Sequence, residues 1–284
     1  MTARLLEGRP LASEMKAALL PTVERLRADR VIPALRIVLA GEDTDSAIYV
    51  RRLRRHAADL GVEIDLRCLP ATVDQAKLNR EVVEAGEDDG VDGILVPMPL
   101  PAGLSPAPII NVMDPDKDVD GLTVVNAGRL YVGEPGGVPS VAAAIIALIE
   151  AAGAPVEGAR ALVVGRSIVV GKPVAHLLLA LNATVTIAHS RTLDLAGLGR
   201  ESDILVAAAG RPGLVTADMV KPGAVVIDAG INQVGAEIAG DVDFVAVSRV
   251  AGAITPVPGG VGPLTNVVLL RRVVENAARR LARK

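Results

Sequence analysis

The run Val163-Val164-Gly165-Arg166-Ser167-Ile168-Val169-Val170-Gly171-Lys172-Pro173 joins an apolar stretch, a glycine turn and the residues that open a helix. Amide N–H groups exposed at such a helix start attract a pyrophosphate. Gly165 and Gly171 are spaced more widely than in G-x-G-x-x-G, so an ordinary strand-turn-helix connection stays open. The next apolar run ends in His189-Ser190-Arg191-Thr192, where an NAD site would usually place Asp or Glu for the ribose hydroxyls. A cation with hydroxyls, and Arg166 able to converge on them, suits a 2′-phosphate and favours NADP over NAD. The alternative is a solvated Arg191 on a loop. A further run, Thr255-Pro256-Val257-Pro258-Gly259-Gly260-Val261-Gly262-Pro263-Leu264-Thr265, has three prolines that fix φ and three glycines that release it. That backbone is shaped for close contact with a ligand.

Three segments of the first half have the residue types of a second site. Asp45-Ser46-Ala47-Ile48-Tyr49-Val50 opens a helix, with Asp45 or Ser46 as its N-cap. Pro97-Met98-Pro99-Leu100-Pro101 ends a strand, and Asp116-Lys117-Asp118-Val119-Asp120-Gly121 is a charged loop. Taken singly, they read as a capped helix, a strand terminator and a solvated turn.

Alternating β-branched runs and helical patterns must position these residues. Strands are predicted at Ala34–Ala40, Val62–Leu69, Gly93–Val96, Ala161–Val164, Thr184–Ile187, Ile204–Ala207 and Val225–Ile227. Helices are predicted over Ser46–Leu60, Val73–Ala85, Ala143–Ala152 and Leu264–Leu281. The alternation points to parallel sheet, doubly wound in the second half. Gly and Pro concentrate between Tyr131 and Pro139, which marks the linker. The expected organisation is a first α/β domain over residues 1–139 and a nucleotide domain over 140–264. The helix 265–284 is expected to return to the first domain.

Composition excludes several classes of function. Of 284 residues 50% are apolar, yet Tyr49, Tyr131 and Phe244 are the only aromatics, so the core is built from Val, Ile, Leu and Ala. A net charge of −3 without a basic tract argues against a nucleic-acid partner. Arg279, Arg280, Arg283 and Lys284 read as favourable charge at a helix C-terminus. Cys68 is the only cysteine and the histidines (His56, His176, His189) are dispersed, so neither a disulfide framework nor a bound metal is expected. The longest apolar run, Val141–Ile149, is too short to span a bilayer. Charged residues among Arg4, Glu7 and Arg9 speak against a secretory leader, and the expected location is the cytoplasm.

In order along the chain, Tyr49-Val50, Pro99-Leu100-Pro101, Lys117 to Gly121, Val164 to Ser167, Gly171-Lys172-Pro173, His189-Ser190, Asp228-Ala229-Gly230-Ile231-Asn232, Gly240-Asp241-Val242 and Pro256 to Thr265 resemble the methylenetetrahydrofolate dehydrogenase/cyclohydrolase family over essentially the whole length. The resemblance implies an N-terminal α/β catalytic domain, a Rossmann-like NADP-binding domain with mainly parallel sheet, and a homodimer. It implies oxidation of 5,10-methylenetetrahydrofolate with NADP, then hydrolysis of the methenyl product. Tyr49 would position the folate and Asp120 would bind the pterin, both at the catalytic centre. Pro99, Leu100, Pro258, Gly259, Gly260 and Val261 would line the folate cleft. Gly165, Arg166, Ser167, His189, Ser190, Arg191, Ala209, Gly210, Ile231 and Thr255 would hold the cofactor.

Departures from the family pattern are as informative. The family lysine one helical turn after the tyrosine is Leu53 here, and the glutamine before Leu-Pro-Leu-Pro is Pro97. Arg52, Arg54 and Arg55 cannot replace a lysine base, because guanidinium does not deprotonate in proteins. Hydrolysis needs water activation and proton movement, whereas hydride transfer needs mainly positioning. The expected function is a NADP-dependent dehydrogenase with weak or absent cyclohydrolase activity. The alternatives are a full bifunctional enzyme, a homologue acting on another one-carbon or pterin substrate, and a binding protein without catalysis. Pro139-Ser140-Val141-Ala142 also replaces the usual Pro-Cys-Thr-Pro.

Overall fold

The computed structural model describes residues 2–41, 44–235 and 237–283, excepting the side chains of Thr44 and Asp45. The first half runs β1 (Arg4–Leu5), α1 (Gly8–Ala28), β2 (Ala34–Ala40), α2 (Thr44–Leu60), β3 (Glu63–Leu69), α3 (Gln75–Glu87), β4 (Gly93–Leu95), α4 (Pro106–Val112) and α5 (Val124–Val132). It continues through α6 (Ser140–Ala152), β5 (Arg160–Val164), α7 (Gly171–Ala180), β6 (Thr184–Ala188), α8 (Leu195–Arg200) and β7 (Ile204–Ala207). The last elements are β8 (Val225–Asp228), β9 (Asn232–Val234), β10 (Glu237–Ala239), α9 (Phe244–Val247), β11 (Ala253–Ile254) and α10 (Val261–Ala282).

The chain divides into two units, each discontinuous in sequence: residues 14–138 with 266–284, and residues 1–13 with 139–265. In the first unit β3-β2-β4 form a parallel sheet. Its core joins Leu35, Ile37, Leu53, Leu60, Val119, Leu270 and Val273, so α10 from residue 266 onward is part of this unit. Asp74 caps α3 by accepting from the Lys77 amide at 2.7 Å, and Leu78, Val82 and Ala85 bury one face of that helix. The basic residues near the chain's end do more than favour a helix terminus. Arg280 holds the carboxylate of Asp92, which is 2% exposed, through two bonds of 2.7 and 3.0 Å. Lys284 lies outside the described residues.

The second unit is a parallel sheet of order β1-β11-β8-β7-β5-β6. Its strands are short, and the central ones are mostly apolar; Ile204–Ala207 and Val225–Asp228 are buried throughout, as parallel strands covered on both faces must be. The first thirteen residues belong here and not to the expected domain 1–139. The cause is backbone pairing: Arg4 and Leu6 amides donate to Gly252 and Ile254 carbonyls at 2.9 and 2.8 Å, and β1 adds to β11.

Some element bounds differ from expectation. Helix α2 begins at Thr44, so Asp45 and Ser46 lie inside it and neither is its N-cap; the side chain of Asp45 is outside the described residues. α6 begins at Ser140 directly after Pro139, and α10 begins at Val261, which shortens the Pro/Gly loop. The linker is not loose along its length, since Gly133 closes α5 in a left-handed conformation at φ 77°. Gly137 then donates to the side chain of buried Asn126 at 2.9 Å.

Candidate active site and cofactor site

In the unit of residues 14–138 and 266–284, the candidate site residues follow the C-terminal ends of neighbouring strands. β2 leads to α2, which carries Tyr49; β4, paired with β2 through Ile37 and Leu95, leads to 96–101. The charged loop lies alongside β4, with the Ile94 amide donating to Lys117 O at 2.8 Å. Of its acids, Asp118 is the structural one. It is 1% exposed and accepts from the Thr123 amide at 2.8 Å and from Asn126 Nδ2 at 3.0 Å. Asp120 is left half-buried and acts electrostatically on Tyr49. Burial first, and the charge of Asp120 second, raise the Tyr49 hydroxyl above its ordinary range. The phenol therefore stays neutral, able to position a ligand but not to serve as a base. Pro99 is exposed and Leu100 half-buried.

Leu53, one turn beyond Tyr49 on α2, is 0% exposed. Its cluster contains Val50, Ala57, Leu60, Leu95 and Val119, and Pro97 is buried as well. Neither residue offers a polar atom on its side chain, so no side-chain proton can be moved from either position. His56, farther along α2, has a buried Nδ1 without a hydrogen-bond partner. Burial and the nearby Lys16 lower its pKa despite the opposing charge of Asp59.

In the other unit, β5 and β6 are neighbours in register, with Val164 opposite Ala188. Gly165-Arg166-Ser167 and His189-Ser190-Arg191 therefore leave the same edge of the sheet side by side. Gly165 has φ 130°, and a Cβ there would collide with the Ala208 carbonyl, so only glycine fits. Arg166, Ser167, Ser190 and Arg191 are exposed. His189 turns the loop: its amide donates to Thr192 Oγ1 at 2.9 Å, and its Nδ1 accepts from the Arg191 amide at 3.2 Å. The amides at the start of α7 are not all free for a pyrophosphate. Ser167 Oγ accepts from Val170 and Gly171 at 3.1 and 3.3 Å, and Ser167 O accepts from Lys172 at 3.0 Å. Exposed guanidiniums and hydroxyls on adjacent strand ends, without a carboxylate at the end of β6, fit a dinucleotide bearing an additional phosphate.

Sequence reasoning quoted Asp228 and Asp241 only as motif letters, yet they build the rest of this site. Asp241 is 0% exposed. It accepts from the amides of Ala209, Gly210 and Arg211 at 2.6, 2.8 and 2.8 Å and from Asn232 Nδ2 at 2.8 Å. Asp228, 3% exposed, accepts from the amides of Gly230, Asp241 and Val242, each at 2.9 Å. Burial pushes the Asp228 carboxyl up, against the amides that favour its charged form. A Cβ on Gly240 would strike the Asp228 carboxylate. Thr255 is a correction. It is expected at the cofactor, but it is 0% exposed and its hydroxyl accepts from the Asp228 amide at 2.7 Å. It supports the site from behind. Ile231 is 73% exposed, as a residue facing a ligand would be. In the Pro/Gly loop Pro258 is exposed and Gly259 half-buried, whereas Gly260 and Val261 are buried. Among the described residues no cluster of three His, Cys, Asp or Glu could hold a metal ion, and no helix is long and apolar enough to cross a membrane.

Comparison with known proteins agrees with this geometry. Residues 6–120 match the family model for the tetrahydrofolate dehydrogenase/cyclohydrolase catalytic domain. Residues 139–281 match that family's NAD(P)-binding domain. The bifunctional protein FolD of Chloroflexus aurantiacus is 48% identical, covering 99% of both chains. The crystal structure of the bifunctional FolD enzyme from Campylobacter jejuni superposes with a TM-score of 0.96 at 35% identity, covering 98% of this chain and 99% of that one. The Trypanosoma brucei methylenetetrahydrofolate dehydrogenase-cyclohydrolase, complexed with NADP cofactor and inhibitor, gives 0.94 at 37% identity, covering 99% of each. With both domains matched in order and a sheet edge suited to a dinucleotide, the chain belongs to the tetrahydrofolate dehydrogenase/cyclohydrolase family.

Proposed function

We propose that this protein oxidises 5,10-methylenetetrahydrofolate with NADP and hydrolyses the methenyl product weakly or not at all. The observation that carries the second half is the complete burial of Leu53 in an apolar cluster, together with buried Pro97. Tyr49 positions the folate, Asp120 accepts from the amide and amino edge of the pterin, and Pro99 and Leu100 line the folate cleft, whereas Gly260 and Val261 are buried. Hydride leaves the methylene carbon and a cation develops on the substrate; no proton need be taken up. A neutral residue at position 53 does not oppose that cation. The bound dinucleotide supplies the hydride acceptor. Arg166, Ser190 and Arg191 would hold its 2′-phosphate, Ser167 and the 209–211 loop, whose amides are held by Asp241, would orient it, and Ile231 would pack near the nicotinamide. The NADP named in the Trypanosoma brucei complex supports that choice.

Hydrolysis of the methenyl bridge requires activation of water by a group of tunable pKa. Neither Leu53 nor Pro97 supplies one. The full bifunctional reading has its own support, since relatives of this identity carry the name bifunctional. Separate assays decide. Purified protein given methylenetetrahydrofolate and NADP should accumulate the methenyl compound, while added methenyl compound should decay at the buffer rate. Enzyme-dependent decay of added methenyl compound favours the bifunctional reading.

A homodimer through the second unit is part of the proposal. β6 is an edge strand, and Leu179, Ile187 and Leu193 beside it are 59, 41 and 102% exposed; a second copy would cover such an edge. Sedimentation should give the dimer mass. The cytoplasm is the proposed location.

A further inference from the structure

We propose that Asn276 of α10 is a positioning residue for Asp120, acting through the backbone of the loop that carries it. Asn276 is 8% exposed, and its side-chain amide donates to two separate segments. Nδ2 bonds Asp92 O at 2.9 Å, just before β4, and Asp116 O at 2.8 Å, at the start of the charged loop. One side chain therefore ties the entry of the strand to the entry of the loop. Strand and loop then run in register: the Ile94 amide donates to Lys117 O at 2.8 Å, and Ile94 pairs in parallel with Asp118. Arg279 Nη1 donates to Asn276 Oδ1 at 3.4 Å, which fixes the end of the amide that faces the carbonyls.

The loop is held from other sides as well. Asn126 Nδ2 donates to Pro115 O at 2.8 Å and to Asp118 at 3.0 Å, and Lys117 Nζ donates to Gly86 O and Asp88 O. Val119 is buried in the cluster of Leu270 and Val273. Other contacts of α10 do not substitute for Asn276. Arg280, one turn on along the same face, bonds the carboxylate of Asp92 and leaves the loop untouched. Arg283 meets the Asp116 carboxylate at 3.6 Å from an exposed position, where a pair contributes little. Loss of the Asn276 amide would leave two carbonyls without that donor, while the bonds to Lys117 O and Asp118 remain. The loop stays folded but its origin is released, and a displacement of about 1 Å at a binding group is costly. Because a pterin is gripped equally in the ground and transition states, the loss falls on KM for the folate and spares kcat. This inference rests on the folate reading of Asp120.

The test compares wild type with Asn276→Leu and with the milder Asn276→Ala, which admits water to the two carbonyls. Arg280→Gln is the control, since it loosens the same helix without removing a bond to the loop. KM and kcat are measured for methylenetetrahydrofolate and NADP, and hydrogen exchange is followed over residues 117–123. Asn276→Leu should raise KM for the folate about tenfold, leave KM for NADP and kcat within about twofold, and speed exchange in the loop. Asn276→Ala should act in the same direction, and it decides the matter if Asn276→Leu does not fold. Arg280→Gln should lower the melting temperature yet keep both KM values. An unchanged folate KM in the Asn276 variants, an equal rise in Arg280→Gln, or an equal rise in both KM values overturns the assignment. If wild type oxidises no methylenetetrahydrofolate, the dehydrogenase reading fails. Exchange over 117–123 still decides in that event, and equal protection in wild type and the Asn276 variants overturns the positioning role.

Discussion

Replacing Leu53 by lysine tests the central argument, because the structure makes it a physical problem before it is a catalytic one. Leu53 is 0% exposed among Val50, Ala57, Leu60, Leu95 and Val119. A lysine there is held neutral by the apolar surroundings, while in the unfolded chain it titrates near its ordinary value of about 10.4. At about pH 7.5 the folded state must forgo a proton the unfolded state binds, across about three pH units. At about 1.4 kcal/mol per unit this costs about 4 kcal/mol, and only about 1 kcal/mol near pH 9.5. The sign follows from linkage: with more protons on the unfolded chain, stability of Leu53→Lys rises with pH. Urea unfolding at the two pH values should show that rise in the variant relative to wild type. Adding Pro97→Gln supplies an amide oxygen to accept from the lysine and should recover about 1–3 kcal/mol. The same pair should increase methenyl hydrolysis by about tenfold or more. Equal unfolding midpoints for Leu53→Lys and wild type at both pH values would refute the reasoning, since position 53 would then be open to water or to a counter-charge.

Arg166→Gln and Arg191→Gln should each raise KM for NADP by about ten- to a hundredfold with little change for NAD, as loss of a charge-assisted bond to a phosphate predicts; steady-state kinetics with both cofactors checks this. Asp241→Ala leaves the amides of Ala209, Gly210 and Arg211 without their acceptor and should cost about 3 kcal/mol or more, read by denaturant unfolding together with weakened cofactor binding by calorimetry. His56 has its pKa lowered from 6.5, so the unfolded chain binds a proton that the folded chain resists. Wild-type stability should therefore fall as pH drops through that value, and His56→Gln should flatten the slope in unfolding titrations.

Buried parallel strands were legible because a strand covered on both faces is apolar, and the expected Ile204–Ala207 coincides with β7; Ala34–Ala40 coincides with β2 although Arg36 interrupts its apolar run. Helix α1 was not read, although Ala12, Leu19, Val23 and Leu26 are buried at helical spacing. Pro10 and Pro21 within it look like breaks in a sequence. β1 has two residues, and only its partner β11 makes it a strand. Of the residues expected at the cofactor, Arg166, Ser190 and Arg191 are exposed after β5 and β6, where residue type and order put them. Thr255, Asp228 and Asp241 were not readable, because a buried carboxylate facing backbone amides looks in sequence like any other acid. Asp118 and Asp120 differ only in which one the turn encloses.

The pairing of residues 3–6 with the strand before the Pro/Gly loop has a consequence for how the molecule can be made. During synthesis β1 leaves the ribosome about 250 residues before β11. The sheet edge is thus closed by a contact of high sequence separation that forms late. Cutting at the linker would not release two autonomous halves. A fragment over 139–265 would lack the donors for Ser248, Gly252 and Ile254 carbonyls, and the complementary fragment would carry an orphaned leading strand. A circular permutant that joins residue 284 to residue 1 and opens the linker is subject to the same rule: it retains every strand, but each unit still has to be threaded from segments separated by the other.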